Sequence, residues 1–297
     1  MMNYLPKRAV IKFWRNTVPR LRMRVGHTQV RVSGYNSNAG ALFRWREGWK
    51  TEIIRRVFAI EDGDFVDVGA NVGQTLLDYC AAGIKCRYIG FEPNPTAFAS
   101  LHIFIRDNDL KNCVLLPIGL SDTASVLNLY SQVSHAADVN ATIVADLRPR
   151  MTLDQTPIVC CRFDDLRAAL GIASIGLIKI DVEGAELAVL RGMEGTLREL
   201  RTPVLCEILY ADKSADLHQY GEAVKSTIEF LHQIDYAVFR VLMDRTTERF
   251  VGLRKMADLP TQVWSPDNSH ECDYILIPTE KVCNYEQTIA GGSAKLG

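Results

Sequence analysis

Phe65-Val66-Asp67-Val68-Gly69-Ala70-Asn71-Val72-Gly73-Gln74-Thr75 is an apolar run that closes on an acid, two glycines and the start of a helical pattern. A strand buried on both faces feeds a helix in this way, with functional groups gathered at the strand's carboxyl end. Ile178-Lys179-Ile180-Asp181-Val182-Glu183-Gly184-Ala185-Glu186 repeats the arrangement further along the chain. Between them, Tyr88-Ile89-Gly90-Phe91-Glu92-Pro93-Asn94-Pro95 places an acid 23 residues after Gly69.

Outward from these stretches the pattern alternates between strands and helices. Strands are expected at 63–69, 86–91, 113–118, 176–181, 203–208, 236–242 and 272–277. Helices are expected at about 72–82, 95–107, 184–199 and 222–234. Leu187, Leu190, Met193, Leu197 and Leu200 form an apolar stripe able to cover a sheet face. The alternation predicts an α/β fold with a doubly wound, mostly parallel sheet. The Ser/Asp/Asn/Ala-rich stretch from Ser121 to Cys161 reads as an irregular insertion, the place for a lid or substrate loop.

The 297 residues, 47% of them hydrophobic, suit a soluble chain with a substantial core. No apolar run reaches the length of a membrane span, and no secretory leader is recognisable, so a cytoplasmic location is expected. The eight cysteines are scattered, without a C-x-x-C pair, and read as free core thiols rather than zinc ligands or disulfides. Charge is unevenly placed: residues 1–50 hold 11 Lys and Arg against one acid, the remainder 23 against 34.

The expected organisation is a basic extension over 1–50, a catalytic domain over 51–283 and a flexible tail over 284–297. Within the extension, residues 7–18 suit a short amphipathic helix. Val10, Ile11, Trp14 and Val18 share one face, with Arg8, Lys12 and Arg15 opposite. Docking on the domain is the plainer expectation; peripheral contact with the inner face of an anionic membrane is the sharper one. Arg44, Trp45, Arg46 and Trp49 suit packing better than acceptor binding. No nucleic-acid motif is present. Residues 33–40 read as a loop.

Gly69 and Gly73 let the backbone turn sharply and approach a ligand closely. The helix that follows offers free N–H groups to a carboxylate. Asp67 is then placed to accept from an ammonium or from loop amides, and Glu92 to take both hydroxyls of a ribose. Ser121 and Asp122 follow the third strand, near an adenine. The spacing Gly69-x-x-x-Gly73 departs from the G-x-G-x-x-G of dinucleotide enzymes and weighs against hydride transfer. A nucleoside-bearing amino acid, S-adenosylmethionine, fits these groups.

The run from Asp67 to Thr75, Phe91-Glu92-Pro93-Asn94-Pro95, and Ile180-Asp181-Val182-Glu183-Gly184-Ala185-Glu186 with Leu190-Arg191-Gly192 resemble the FkbM family of S-adenosylmethionine-dependent methyltransferases. The likeness extends over roughly residues 60 to 280 and includes Phe163-Asp164-Asp165-Leu166 and Asp273-Tyr274-Ile275-Leu276. It implies a seven-stranded class I methyltransferase (Rossmann-like) sheet. It also implies O-methylation of a sugar, glycan or polyketide-type acceptor. Carried over by position, Asp67, Gly69, Asn71, Gly73 and Glu92 should contact the cofactor. The basic first fifty residues and the stretch from Ser131 to Met151 depart from the family's pattern. A silent methyltransferase fold used as a binding module is the alternative, and a homo-oligomer stays open.

Methyl transfer to a hydroxyl needs an aligned acceptor and a nearby base. Asp181, Glu183 and Glu207, at the ends of the fourth and fifth main strands, are the candidates, with Asp181 also near the cofactor. Glu186 lies one turn beyond Glu183, and a role at the helix N-terminus competes with catalysis for either of these acids. His135 with Asp138 offers a weaker acid/base pair. Asp181, Glu183 and Glu207 also carry oxygen ligands suited to Mg²⁺, but nothing in their spacing demands a metal.

Overall fold

The computed structural model describes residues 20–25, 28–33, 42, 47–132, 141–144, 153–211 and 217–289. The amphipathic segment at 7–18, most of the 33–40 loop, Arg44 to Arg46, and the His135/Asp138 pair lie outside these residues. An antiparallel hairpin, β1 (Arg20–Val25) with β2 (Thr28–Ser33), comes first. Helix α1 (Gly48–Val57) leads into β3 (Asp64–Val68) and α2 (Gln74–Ala82). Then come β4 (Tyr88–Phe91), α3 (Pro95–Asp107), β5 (Cys113–Leu116) and β6 (Gly119–Leu120). β7 (Ser125–Gln132) and β8 (Leu153–Cys161) precede α4 (Phe163–Arg167), β9 (Ile175–Ile180), α5 (Glu186–Gly192) and α6 (Glu194–Leu200). The chain closes through β10 (Val204–Glu207), α7 (Leu217–Gln233), β11 (Tyr236–Asp244), β12 (Arg249–Met256), β13 (Asp273–Pro278) and α8 (Val282–Thr288).

The main sheet runs β12-β11-β13-β10-β9-β3-β4-β5. β5, β4, β3, β9 and β10 are parallel; β13, β11 and β12 join antiparallel. All seven expected strands are present, and β12 adds an eighth at the edge. Because side chains alternate along a strand, two cores form. Val66, Ile89, Ile178, Val204 and Tyr274 pack on one face with Val189, Leu197, Val224 and Leu231 of α5, α6 and α7. Phe65, Tyr88, Leu177, Leu205 and Ile275 face the other way, against Trp49, Ile53, Ile54 and Val57 of α1 and Leu76 and Leu101 of α2 and α3. Val25, Val30 and Val32 of the hairpin join this second core.

Several local expectations are corrected. The helix expected at 184–199 is two helices broken at Met193. Gly192 abuts the Ser121 carbonyl, which a Cβ there would meet at 2.1 Å. The insertion is more regular than expected, since β7 and β8 pair antiparallel over eight residues and, with β6, form a second sheet. The expected tail from 284 begins as helix: Tyr285 and Ile289 are buried, and the Tyr285 hydroxyl donates to Glu61 at 3.1 Å. The eight cysteines are free, but Cys283 is exposed rather than in the core. Among the described residues, no helix is long and apolar enough to cross a membrane.

Candidate active site

A cavity of about 230 Å³ opens at the carboxyl ends of β3, β4, β9 and β10. Local geometry at its floor follows from the glycines and acids. Gly69 has φ +78°, and a Cβ there would come within 1.9 Å of the Asp181 carbonyl. The close approach that demands this glycine is therefore backbone from the neighbouring motif. Asn71 (φ +49°) and Gly73 (φ +104°) complete the turn, and α2 starts only at Gln74 because both residues are left-handed. Asn94 caps α3, accepting from the amides of Thr96 and Ala97 at 3.0 and 3.3 Å, with Pro95 preset for the first turn.

Glu92 lies where the sequence placed it. Its two carboxylate oxygens accept from the amides of Asn71 and Asn94, each at 2.7 Å. Burial pushes its carboxyl up to about 7, against the pull of those two amides. Each oxygen keeps a lone pair, and the residue lines the cavity beside Phe91, Pro93, Gly119 and Leu120.

The expected direct grip by Asp67 is corrected. Asp67 is fully buried and lies behind the cavity wall, because its place in β3 points it at the α1–α2 layer. It accepts from the Tyr88 hydroxyl and pairs with the Lys179 ammonium at 3.3 Å. Lys179 in turn donates to the Gly69 carbonyl at 3.0 Å, pairs with Asp181 at 3.3 Å and lines the cavity. Asp67 is thus linked to the cavity through Lys179.

Ser121 and Asp122 are corrected too. β6 turns away to pair with β8, so the Ser121 amide donates to Cys161 and the exposed Asp122 accepts from Thr123. Gly119 and Leu120 reach the cavity instead, facing an apolar wall of Leu129, Ala141, Ile143, Ile158 and Cys160.

Asp181, Glu183 and Glu207 line the far end together. Cys206 pairs with Ile180 across β10 and β9, and Glu207 with Asp273 across β10 and β13. Asp181, Glu207 and Asp273 therefore form one level row on the α1 face of the sheet. Burial raises the Glu207 carboxyl well above the ordinary range, and the charges of Asp181 and Asp273 push it the same way. Asp181 goes the other way: burial opposes its charge, yet Lys179, Lys50 and a hydrogen bond from Glu207 hold it below the ordinary range. The neighbouring acids are thus pushed apart, Glu207 toward its protonated form and Asp181 toward its carboxylate. Burial, then Glu47, lifts Asp273 to about 8.

Glu183 sits at φ +55°, and its carbonyl accepts from the buried Thr142 hydroxyl at 2.6 Å. Thr142 also pairs through its backbone with Tyr130, so the 141–144 segment is fastened between β7 and the Glu183 turn. Glu186 takes the structural role: its carboxylate accepts from the Gly184 amide at 2.9 Å at the start of α5. Sequence reasoning missed Lys50, Lys179, Glu47, Thr75 and Asp78, which also line the cavity. A lysine inside a run as apolar as Ile178–Ile180 was a usable signal, since buried cations are paired.

Comparison with known proteins gives the family. The family profile described as "Methyltransferase FkbM domain" matches residues 67–238. The chain is 30% identical over 211 residues to the 31-O-demethyl-FK506 methyltransferase FkbM of Streptomyces tacrolimicus, covering 60% of this chain and 77% of that one. It is 29% identical over 151 residues to the hexuronic acid methyltransferase AglP of Haloferax volcanii, covering 50% of this chain and 58% of AglP. Among solved structures it is similar to the methyltransferase FkbM of Methylobacillus flagellatus. That likeness has a TM-score of 0.45 at 14% identity and covers 81% of this chain and 54% of the other.

Proposed function

This chain belongs to the FkbM methyltransferase family, and on that footing we propose that it methylates a hydroxyl oxygen using S-adenosylmethionine, with Asp181 as proton acceptor. Glu92 is the observation that carries the reading. A buried carboxylate, fixed by two amides and still holding lone pairs toward a cavity, suits the paired hydroxyls of a ribose. Charge-assisted bonds of that kind contribute about 1.5–3 kcal/mol each. The wall of Gly119, Leu120, Ile158 and Cys160 suits a flat base beside that ribose.

When bound, the cofactor supplies a methyl on a sulfonium, whose C–S electron pair leaves on sulfur as the new O–C bond forms. The protein's own work is orientation and proton removal. Asp181 is the ionised member of the acid row, and Glu207 fixes its carboxylate by hydrogen bonding. A hydroxyl donating to Asp181 is thereby oriented and relieved of its proton.

The relatives named above are a hexuronic acid methyltransferase and a 31-O-demethyl-FK506 methyltransferase, and a hydroxyl of a sugar, glycan or polyketide-type product is the acceptor class proposed here. The test is incubation of the full chain with S-adenosylmethionine and a panel of neutral sugars, hexuronates and macrolides, with S-adenosylhomocysteine measured by mass spectrometry. Calorimetry that finds NAD(H) bound and S-adenosylmethionine ignored would overturn the proposal.

A further inference from the structure

Helix α1 precedes the segment shared with the family, yet it builds part of the site. Its residues at helical spacing, Ile53, Ile54 and Val57, pack on Leu177, Leu205 and Ile275 of the sheet. Lys50 continues that stripe one turn toward the strands' ends. There the sheet residues above Leu205 and Ile275 are Glu207 and Asp273, two positions on along β10 and two back along the antiparallel β13. The helix therefore lays its one buried cation against the row of three acids. Lys50 is 9% exposed, lines the cavity with Asp181 and Glu207, and pairs with Glu47 at 2.5 Å.

We infer that Lys50 is a positioning residue of the proposed methyl transfer: it faces the row of Asp181, Glu207 and Asp273 and keeps Asp181 the ionised member that takes the acceptor's proton. The inference rests on the function proposed above. The charged groups around the row support it. Lys179, the other cation there, is already engaged by Asp67, Asp181 and the Gly69 carbonyl. Glu47 lies just before α1, Glu183 on the turn after β9, and Asp78 on α2, where it accepts from Thr51. Among the described residues that line the cavity acids thus outnumber cations, and the Lys50 charge acts on Asp181, Glu207 and Asp273 alike. Burial works against its charge, but Glu47, Asp273, Asp181 and Glu207 together hold the ammonium well above its ordinary range. It stays a cation wherever the acids titrate.

The test is a pH titration of the full chain carrying ¹³C-labelled Asp and Glu carboxyl carbons, read by NMR, with signals assigned through D181N, E207Q and D273N. In wild type the Asp181 midpoint lies below the ordinary carboxylate range. K50M should raise it by about one pH unit or more, and K50R should restore it. A K50M midpoint within a few tenths of a unit of wild type overturns the inference, as does failure of K50R to restore it, since packing rather than charge would then be at work. Should K50M not fold, K50Q serves in its place, because it keeps a polar side chain of similar reach and removes the charge. Its Asp181 midpoint should rise in the same way; an unmoved midpoint overturns the inference. Calorimetry of the wild-type sample with S-adenosylmethionine separates the two readings. Binding with an unmoved Asp181 midpoint removes Lys50 alone, whereas no binding removes the proposed function as well.

Discussion

The backbone of Gly69 passes so near the Asp181 carbonyl that a Cβ on Gly69 would stand 1.9 Å from that oxygen. The two acid-bearing motifs, distant in sequence, therefore interlock at their tips, and the Asp181 amide donates to Val68 beside them. G69A has to part the two strands as well as adopt φ +78° with a side chain. It should destabilise the fold by roughly 1–3 kcal/mol or more, measured by urea denaturation, and weaken S-adenosylmethionine binding in step.

Glu92 offers only acceptors to Asn71 and Asn94. E92Q turns one of those oxygens into a donor facing a donor. Affinity for S-adenosylmethionine should fall about ten- to a hundredfold in calorimetry, with the far-ultraviolet circular dichroism spectrum unchanged. Wild-type affinity would mean that the ligand's hydroxyls lie elsewhere.

Asp181 is the proposed proton acceptor, so D181N should lower turnover by about 10²- to 10⁴-fold in the S-adenosylhomocysteine assay. The wild-type rate should follow a bell. It falls in acid as Asp181 takes up a proton, and in alkali as Glu207 ionises and Asp273, near 8, adds a charge to the row. A rate that keeps rising past pH 9 would contradict this assignment.

Stability should fall as pH rises, the reverse of the usual behaviour of carboxylates in salt bridges. Glu92 and Glu186 near 7 and Asp273 near 8 are all raised by burial above their unfolded values. Between those values the folded chain binds more protons than the unfolded one. The contribution is therefore full below about pH 4 and lost as pH climbs to about 8. The Tm should drop between pH 5 and 8 in differential scanning fluorimetry, and E186Q should flatten the slope.

Thr142 spans from the Glu183 carbonyl to the Val144 amide. T142V keeps the shape and removes both bonds. It should cost about 1 kcal/mol per bond and speed hydrogen exchange at Val144, with little change at β9.

The strands were legible because both motifs and Val204–Glu207 are apolar runs ending in acids, the mark of a strand with two covered faces. Glu92, Asp181 and Glu207 were legible for the same reason, standing at strand ends. Asp67 was misplaced although its position in the strand held the answer: it alternates with Val66 and Val68, so it turns to the helix layer beneath the cavity. Ser121 and Asp122 were misplaced because nothing local announces that β6 leaves the main sheet for β8. Lys50 was out of reach, since its chemistry comes from three strands far along the chain and from a helix whose own pattern explains only its apolar stripe.

The two ends of the cavity have separate foundations. The Glu92 end rests on the central strands, while the facing wall comes from β7, β8 and residues 141–144, which meet the body through β6 and through the Thr142–Glu183 bond. Part of that wall can be exchanged by itself: grafting residues 121–144 from a relative would replace Leu129, Ala141 and Ile143 and leave Ile158 and Cys160, which flank the base in the proposed binding mode, in place.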